Sequence, residues 1–260
     1  MSLQLSILAS GSSGNCTFVA SGRTAILIDA GLSARAIEQR LAAIGKSLDE
    51  IRAVCVSHEH GDHTQGLRVL YQRTGIPLYA NSGTIEALER QPEFEGLKWH
   101  VFTTGCAFEI GDLTIEPFAV PHDAYEPVGF VVSNGASRVG IVTDMGMSTS
   151  LIRERLRRCA ALVVESNHDE ELLLEADRPW HLKQRIRGRQ GHLSNRGAAA
   201  LLAEVAGPDL RYVFLAHLSE DCNRPELACR TARETLLQLG HGHVCVQAAY
   251  PDRPTELCIV

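Results

Sequence analysis

The 260-residue sequence predicts an α/β fold in which two related halves pack sheet against sheet, with helices outside, as a four-layer sandwich. Apolar runs of strand length recur along the chain and alternate with segments of helical periodicity. An internal repeat relates the first half to the second. No linker rich in proline, glycine or serine divides the chain, so we expect residues 1–260 to form a single domain.

Ten segments have the length and apolar composition of strands. They are Leu3–Leu8, Thr17–Ala20, Ala25–Ile28, Ala53–Val56, Leu113–Val120, Val128–Val132, Val139–Val142, Ala161–Val164, Tyr212–Ala216 and Val244–Ala248. Six segments show helical periodicity. They are Ala34–Ala43, His63–Thr74, Thr84–Arg90, Thr149–Arg158, Asn195–Ala206 and Pro225–Leu239.

The internal repeat is carried by a strand, a helix and a second strand in each half. Ile26–Ser33 matches Ile141–Ser148, and the register continues through the helix that follows. After a shorter connection in the second half, Ala53–Val56 aligns with Ala161–Val164. Two such halves would place their strand ends along one shared edge.

Composition and charge argue against several classes of protein, such as membrane proteins and indiscriminate nucleic-acid binders. The formal net charge of −6 argues against indiscriminate nucleic-acid binding but leaves room for a local basic patch. No segment approaches the roughly 20 apolar residues of a membrane span, so we expect no membrane contact. The segment Met1–Leu8 carries no positively charged side chain and resembles a first strand rather than a signal peptide. The eight cysteines form no C-x-x-C pair, as in proteins of a reducing compartment, and we expect a cytoplasmic location.

The hexapeptide His58–His63, which reads His-Glu-His-Gly-Asp-His, is the most informative motif. It follows the apolar run Ala53–Val56, so its side chains lie at the end of a rigid strand. His58 and His60 are two residues apart and point to one side of an extended backbone. Gly61 supplies the turn that brings the last two donors to that side. This geometry suits two neighbouring metal ions better than one.

Three further metal donors follow other predicted strands, namely His122, Asp144 and His217. A layered sheet brings these strand ends together. A lone histidine after a strand is usually structural, whereas a group of donors at one edge indicates a metal site. The candidate ligands are His58, His60, Asp62, His63, His122, Asp144 and His217.

The donor pattern resembles the metallo-β-lactamase superfamily over nearly the whole chain. The pattern consists of Asp29, His58-x-His60-x-Asp62-His63, His122, Asp144 and His217. Four further motifs resemble the bacterial YycJ/WalJ-type metallo-hydrolases, whose members are regarded as probable nucleases. These motifs are Ser10–Asn15, Glu165–Asp169, Gly191–Asn195 and His217–Glu220. The resemblance implies the αβ/βα sandwich of that superfamily.

The resemblance also implies a role for each donor. The first metal would be held by His58, His60 and His122, the second by Asp62, His63 and His217, with Asp144 as the bridge. Asp29 is expected to orient a ligand histidine without touching metal. Two metals about 3.5 to 4 Å apart can hold a bridging hydroxide, which Asp62 would also orient, and clamp the reacting oxygens of a phosphodiester. The nitrogen and oxygen donors are compatible with zinc, manganese or iron.

Phosphate contacts are expected beside these metals. His192 precedes Ser194 and Asn195, either of which is a plausible N-cap for the helix Asn195–Ala206. The N-terminus of a helix favours a phosphate, so His192 is a candidate catalytic residue that binds a phosphoryl oxygen or protonates the leaving group. Ser194, Asn195 and Asn15 of the glycine-rich loop are candidate substrate contacts.

A basic segment from Arg178 to Arg196 contains six lysine and arginine residues and no acidic one. Arg185 and Arg187 are its candidate phosphate contacts. A solvated helix face explains the segment about equally well. His168, the repeat partner of His60, is either close to the metals or structural.

The leading functional hypothesis is a two-metal phosphodiesterase that acts on nucleic acid, as a DNA exonuclease. The alternative is hydrolysis of a small phosphodiester or thioester on the same metals. A non-catalytic metal-binding protein would usually have lost part of the ligand set, and here no ligand is missing.

Overall fold

The structure is a computed structural model that describes residues 2–260, and in that range it contains two seven-stranded sheets. The strands are β1 (Gln4–Ala9), β2 (Cys16–Ala20), β3 (Ala25–Ile28), β4 (Ile51–Cys55), β5 (Leu78–Ala80), β6 (Trp99–Val101), β7 (Phe108–Ile110), β8 (Leu113–Ala119), β9 (Val128–Ser133), β10 (Arg138–Val142), β11 (Ala161–Glu165), β12 (Tyr212–Ala216), β13 (Cys245–Ala248) and β14 (Cys258–Ile259). The first sheet has the order β14-β1-β2-β3-β4-β5-β6 and the second has the order β13-β12-β11-β10-β9-β8-β7.

Helices cover the outer face of each sheet. Within residues 2–260 the α-helices are α1 (Ala34–Ala43), α2 (Gly61–Thr64), α3 (Leu67–Thr74), α4 (Ser82–Glu89), α5 (Ser150–Leu156), α6 (Glu170–Glu175), α7 (Trp180–Ile186), α8 (Asn195–Val205) and α9 (Pro225–Gln238). Two short 3-10 helices span Leu48–Glu50 and Pro92–Phe94. None of these described helices is both long enough and apolar enough to cross a membrane.

The two sheets share one pattern of strand directions. In the first sheet β1, β2 and β3 are antiparallel neighbours, and β3 to β6 are parallel. In the second sheet β8, β9 and β10 are antiparallel neighbours, and β10 to β13 are parallel. The helix α1 connects β3 to β4 as α5 connects β10 to β11. The prediction of two related halves is therefore confirmed.

Three apolar clusters separate the layers. The middle cluster lies between the sheets and includes Ile7 of the first sheet and Phe130 and Phe214 of the second. Another cluster joins the first sheet to α1 and α3, for example through Ile37. The last joins the second sheet to α5, α8 and α9, for example through Leu202. The predicted order of helices, sheet, sheet and helices is confirmed.

The elements predicted from the sequence are present, with ends that differ by a few residues. The segment His63–Thr74 is not one helix, because the Gly66 N–H donates to the Ala30 carbonyl oxygen (2.9 Å) and separates α2 from α3. Strands β5, β6, β7 and β14 are additional. They have two or three residues each, too few to show a period in the sequence. Helices α6 and α7 are additional as well.

The buried cysteines offer a test of this packing. Burial raises the pKa of the Cys159 thiol to about 12 and raises the pKa values of Cys16 and Cys55 further. Cys106 and Cys245 are exposed. We expect iodoacetamide at neutral pH to modify Cys106 and Cys245 in the native protein and to leave the three buried thiols unmodified until denaturant is added. Peptide mass spectrometry measures this, and rapid native modification of Cys16 or Cys55 would contradict the packing of β2 against β3 and β4.

Candidate metal centre

The strands that precede the predicted donors end at one edge of the sandwich. Strand β4 leads into His58–His63, β8 into His122, β10 into Asp144 and β12 into His217. The chain turns at Gly61 as predicted, and it does so by forming the single turn of α2. The edge therefore receives donors from both sheets.

Three histidines form the first donor group. The Nε2 atom of His58 lies 3.1 Å from Nδ1 of His60, and Nε2 of His122 lies 3.3 Å from that same Nδ1. Two nitrogen ligands about 2.0–2.1 Å from a tetrahedral ion are about 3.3 Å apart. The spacing of the three nitrogens therefore fits a single divalent ion.

Asp62, His63 and His217 form the second donor group. Oδ2 of Asp62 lies 3.4 Å from Nε2 of His63 and 3.3 Å from Nε2 of His217. Asp144 lies between the two groups, because its Oδ2 is 3.1 Å from Nε2 of His63 and its Oδ1 is 3.8 Å from Nε2 of His122. This arrangement offers one shared carboxylate between two sites.

The electrostatics of this region favour cations. Oδ2 of Asp144 is buried and has no hydrogen-bond partner among residues 2–260. Burial acts to raise the pKa of Asp144, but the neighbouring His217 and His63 hold it well below its usual range, so the carboxylate is charged. Burial and the adjacent His63 lower the pKa of His58, which keeps a lone pair available. A buried charged oxygen without a donor fits a metal ligand.

Asp29 fixes the orientation of His63. Its Oδ2 accepts a hydrogen bond from Nδ1 of His63 (2.7 Å), which leaves Nε2 facing the donor group. The same carboxylate accepts the N–H (2.7 Å) and the hydroxyl (2.8 Å) of Ser57. Asp29 has a φ of 63°, a left-handed conformation that aspartate tolerates better than most residues. Through these contacts Asp29 holds the His63 ring, and its effect on metal binding remains a prediction.

Glu165 is a site residue that was given no role from the sequence, although it begins one of the four motifs that resemble the YycJ/WalJ-type metallo-hydrolases. It ends β11 and is fully buried. Its Oε1 accepts hydrogen bonds from Nδ1 of His192 (2.7 Å) and from Nδ1 of His217 (3.1 Å). Its Oε2 accepts the N–H groups of Met145 (2.8 Å) and Leu193 (3.0 Å). The sequence offered one signal for this role. Glu165 directly follows the apolar run Ala161–Val164, and the internal repeat aligns it with Ser57, which directly precedes the first metal donor.

Asn15 and Asn195, two candidate substrate contacts, are buried and bonded within the protein. Asn15 is 2% exposed, and its Nδ2 donates to Oδ2 of Asp62 (3.0 Å). Asn195 is 3% exposed, and its amide is bonded to Asn223 (2.9 Å) and Ser166 (2.7 Å). Their polar atoms are used inside the protein, and the substrate contacts at these two asparagines remain predictions. Asn15 positions Asp62.

His192 and Ser194 lie on cavity walls beside the donor groups. The His192 side chain is 24% exposed and lines a cavity of about 190 Å³ together with Ser12, Asp123 and Arg185. Ser194 is the N-cap of α8, because its Oγ accepts the N–H of Gly197 (3.1 Å). It lines a neighbouring cavity that includes His192 and Arg187. His168 is buried and forms a backbone bridge to Ser194, outside both donor groups.

The basic segment is only partly available for a ligand. Lys183 is buried and donates to the Leu174 carbonyl oxygen (2.6 Å), so it is structural. Arg185 lies beside the cavity, and its Nε donates to Oδ2 of Asp123 (2.7 Å). Arg187 is exposed and has no ion pair within residues 2–260. Of the two predicted phosphate contacts, Arg187 therefore has the freer guanidinium.

Comparison with known proteins identifies the family. Residues 24–217 match the family model described as a β-lactamase superfamily domain. The chain belongs to the metallo-β-lactamase superfamily. Within this superfamily it is 35% identical to exodeoxyribonuclease YycJ of Bacillus anthracis over 243 residues, which cover 93% of this chain and 92% of that protein.

Two further superfamily members are similar over most of their length. Exodeoxyribonuclease WalJ of Streptococcus pneumoniae (strain D39) is 35% identical over 258 residues, 97% of this chain and 96% of that protein. The crystal structure of the metallo-β-lactamase fold protein YhfI from Bacillus subtilis superposes with a TM-score of 0.73 at 16% identity and covers 98% of this chain and 99% of that chain. The structural likeness shows the fold.

The contact between Asp29 and His63 predicts the effect of Asp29→Asn. Asparagine tolerates the positive φ, but its NH₂ group can no longer accept the His63 N–H. We expect metal affinity to fall by about 10–100-fold, as for other partners of ligand histidines. Competition with a fluorescent chelator measures the affinity. Asp177→Asn, at an exposed aspartate outside both donor groups, is the matched control, and equal affinities for the two variants would contradict the proposed role of Asp29.

Proposed function

We propose that the chain is a two-metal phosphodiesterase that acts as an exonuclease on DNA. The observation that carries this proposal is the unpartnered Asp144 Oδ2 between two groups of metal donors. The two exodeoxyribonuclease relatives support the choice of substrate, because they match this chain over nearly its full length. Exodeoxyribonuclease activity is the activity of those relatives, and we propose DNA as the substrate of this chain as well.

We assign each residue of the metal centre a separate role. His58, His60 and His122 would hold one divalent ion, and Asp62, His63 and His217 the other, with Asp144 shared. Zinc, manganese or iron would fit these nitrogen and oxygen donors. Two bound ions supply an activated water at neutral pH and neutralise charge on the phosphodiester oxygens. Asp62, held by Asn15, also orients the attacking water.

His192 is placed to handle a proton. Its Nδ1 is bonded to Glu165, so its Nε2 is the free nitrogen of a ring that lines the cavity. Burial acts to lower the pKa of His192, but the charge of Glu165 and this hydrogen bond raise it above its ordinary value. A protonated His192 would donate to a phosphoryl oxygen or to the leaving oxygen. Ser194 at the start of α8 would help to bind the phosphate.

A hydrolase of small phosphodiesters or thioesters is the second candidate. The cavity beside His192 measures only about 190 Å³. Two basic side chains next to it are neutralised, since Arg185 pairs with Asp123 and Arg178 pairs with Asp221. A small ester would fit this site without an extended basic groove.

We also propose a cytoplasmic location. All eight cysteines are free, and five of them are buried. Free thiols in this number are typical of a reducing compartment. Fractionation of cells that express the chain tests this location.

The role of His192 predicts the effect of His192→Ala. Turnover of end-labelled DNA by the metal-loaded protein is expected to fall by about 10²–10⁴-fold, because a positioned proton donor is lost. His192 also lies close to Asp144, Glu165 and His217, so metal content is measured in parallel. An unchanged metal content is expected, because His192 belongs to neither three-ligand group. Gel analysis of the released nucleotides measures turnover, and the same assay after chelation gives the metal-free baseline. A rate close to that of the wild type would contradict the catalytic role.

Substrate choice separates the two candidate functions. We expect kcat/KM to be higher for single- or double-stranded DNA than for bis(p-nitrophenyl) phosphate, because DNA adds contacts beyond the scissile bond. The products identify the polarity of digestion. If the small diester is turned over efficiently and neither DNA form is cleaved, the second candidate replaces the first.

The environment of the basic segment predicts unequal effects for its arginines. Arg187→Ala is expected to reduce the slope of log KM for single-stranded DNA against log salt by about 0.7, the value for one lost phosphate contact. Arg185→Ala should have a smaller effect, because Asp123 already neutralises Arg185. Arg35→Ala, at an exposed arginine on α1, is the control. An unchanged slope in both segment variants would place the DNA elsewhere.

A further inference from the structure

A third cavity lies at the edge of the second sheet opposite the metal centre. Its volume is about 480 Å³, within the range of small-ligand pockets. Three arginines line it, namely Arg138, Arg158 and Arg211, together with Asp209. Arg211 immediately precedes β12, and the five residues of β12 span roughly 17 Å to the metal edge. The cavity is therefore separate from the metal centre.

The cavity carries an excess of positive charge. Arg138 pairs with Glu116 (2.9 Å), and Glu116 is shared with Arg155 (3.3 Å). Arg158 and Arg211 are without an ion pair in the part of the chain that the structure describes. Asp209 is the acidic residue among those that line the cavity. At least one guanidinium is left without a counter-charge.

Arg158 has an unusual backbone conformation. Its φ is 60°, in the left-handed region, which disfavours residues with a side chain. Among residues 2–260 the other non-glycine residues with positive φ are Asp29 and His217. Both of these lie in the metal centre, where the strained conformation aims a functional side chain.

Comparable helix ends in this protein use glycine. Gly45, Gly75 and Gly240 follow α1, α3 and α9 with φ values of 71°, 67° and 81°. Arg158 is the second residue after α5 and follows the extended Arg157 (ψ 146°), in a turn that the Cys159 N–H closes on the Leu156 carbonyl oxygen (3.3 Å). Glycine is the common residue both at such helix ends and at the third position of such a turn, because it adopts positive φ without a steric cost. An arginine there indicates that the side chain has a use that outweighs the strain.

We propose that this cavity is a second binding site, for a phosphate group, and that the Arg158 guanidinium is its principal ligand. A guanidinium presents paired N–H donors that match phosphate oxygens. Arg211 and Arg138 lie on the same cavity and add positive charge. The phosphate belongs to a free mononucleotide or to a nucleic-acid strand that extends beyond the metal centre. This site goes beyond the proposed function, because no metal ligand contributes to it.

Arg158→Gly tests the proposal, because ligand binding and backbone strain predict opposite effects. The melting temperature of the unliganded variant is expected to rise by about 2–4 °C as the strain is relieved. In calorimetric titrations of the metal-loaded full chain with inorganic phosphate, adenosine monophosphate and a nuclease-resistant phosphorothioate oligonucleotide, one binding event is expected to weaken by about tenfold or more. Binding at the metal centre remains in the variant.

Arg157→Ala is the matched control. Arg157 is the neighbouring exposed arginine, pairs with Glu154 and does not line the cavity. This control is expected to bind as the wild type does. Weakening with inorganic phosphate and the mononucleotide identifies a free nucleotide as the ligand, whereas weakening with the oligonucleotide alone identifies a strand. Either result supports the phosphate site.

Two results would overturn the proposal. One is identical binding of all three probes by Arg158→Gly and the wild type. The other is a lower melting temperature in Arg158→Gly, which would make Arg158 a fold-stabilising residue. Turnover of bis(p-nitrophenyl) phosphate is expected to be unchanged in this variant. Failure of the phosphate site is thereby distinguishable from failure of the proposed hydrolase function, which would abolish that turnover in the wild type as well.

Discussion

The metal edge depends on the charged carboxylate of Asp144, which is buried among histidine nitrogens. Its Oδ2 has no hydrogen-bond partner within residues 2–260, although Nε2 of His63 is 3.1 Å away. A buried carboxylate needs positive charge or donors close to it, and coordination to cations supplies that charge. Asp144 follows a strand of the second sheet, whereas His63 follows a strand of the first. The two sheets must therefore be packed for the donor groups to exist.

Hydrogen bonds behind the donors hold their geometry. Asp29 orients His63 from within the first half, and Glu165 orients His217 and His192 from within the second. The hydroxyl oxygen of Ser10, which follows the first strand, accepts a hydrogen bond from the backbone N–H of His217 (2.7 Å). Partners of this kind raise ligand basicity and reduce the reorganisation needed when a metal binds. The donors are thus preorganised by contacts from both halves.

The sequence predicts those features of the site that follow from local pattern. Apolar runs in the sequence mark where the strands end, and every predicted metal donor follows such a run and lies at the shared edge. The internal repeat predicts that the two sheets have the same arrangement of strands. Glu165 was missed because a carboxylate after a strand is usually solvated, and its burial depends on contacts with His192 and His217 far along the chain. The position of Asn15 depends in the same way on packing against Asp62. The single-domain organisation and the identity of the substrate remain predictions.

The metal content of the purified full chain tests the account most directly. The protein is equilibrated with zinc or manganese, desalted, and analysed by inductively coupled plasma mass spectrometry in parallel with Asp144→Asn. We predict two tightly held ions per wild-type chain and fewer in the variant, because the shared carboxylate is weakened. A wild-type chain that retains no metal, or a variant that retains the same two ions, would contradict the central role of Asp144.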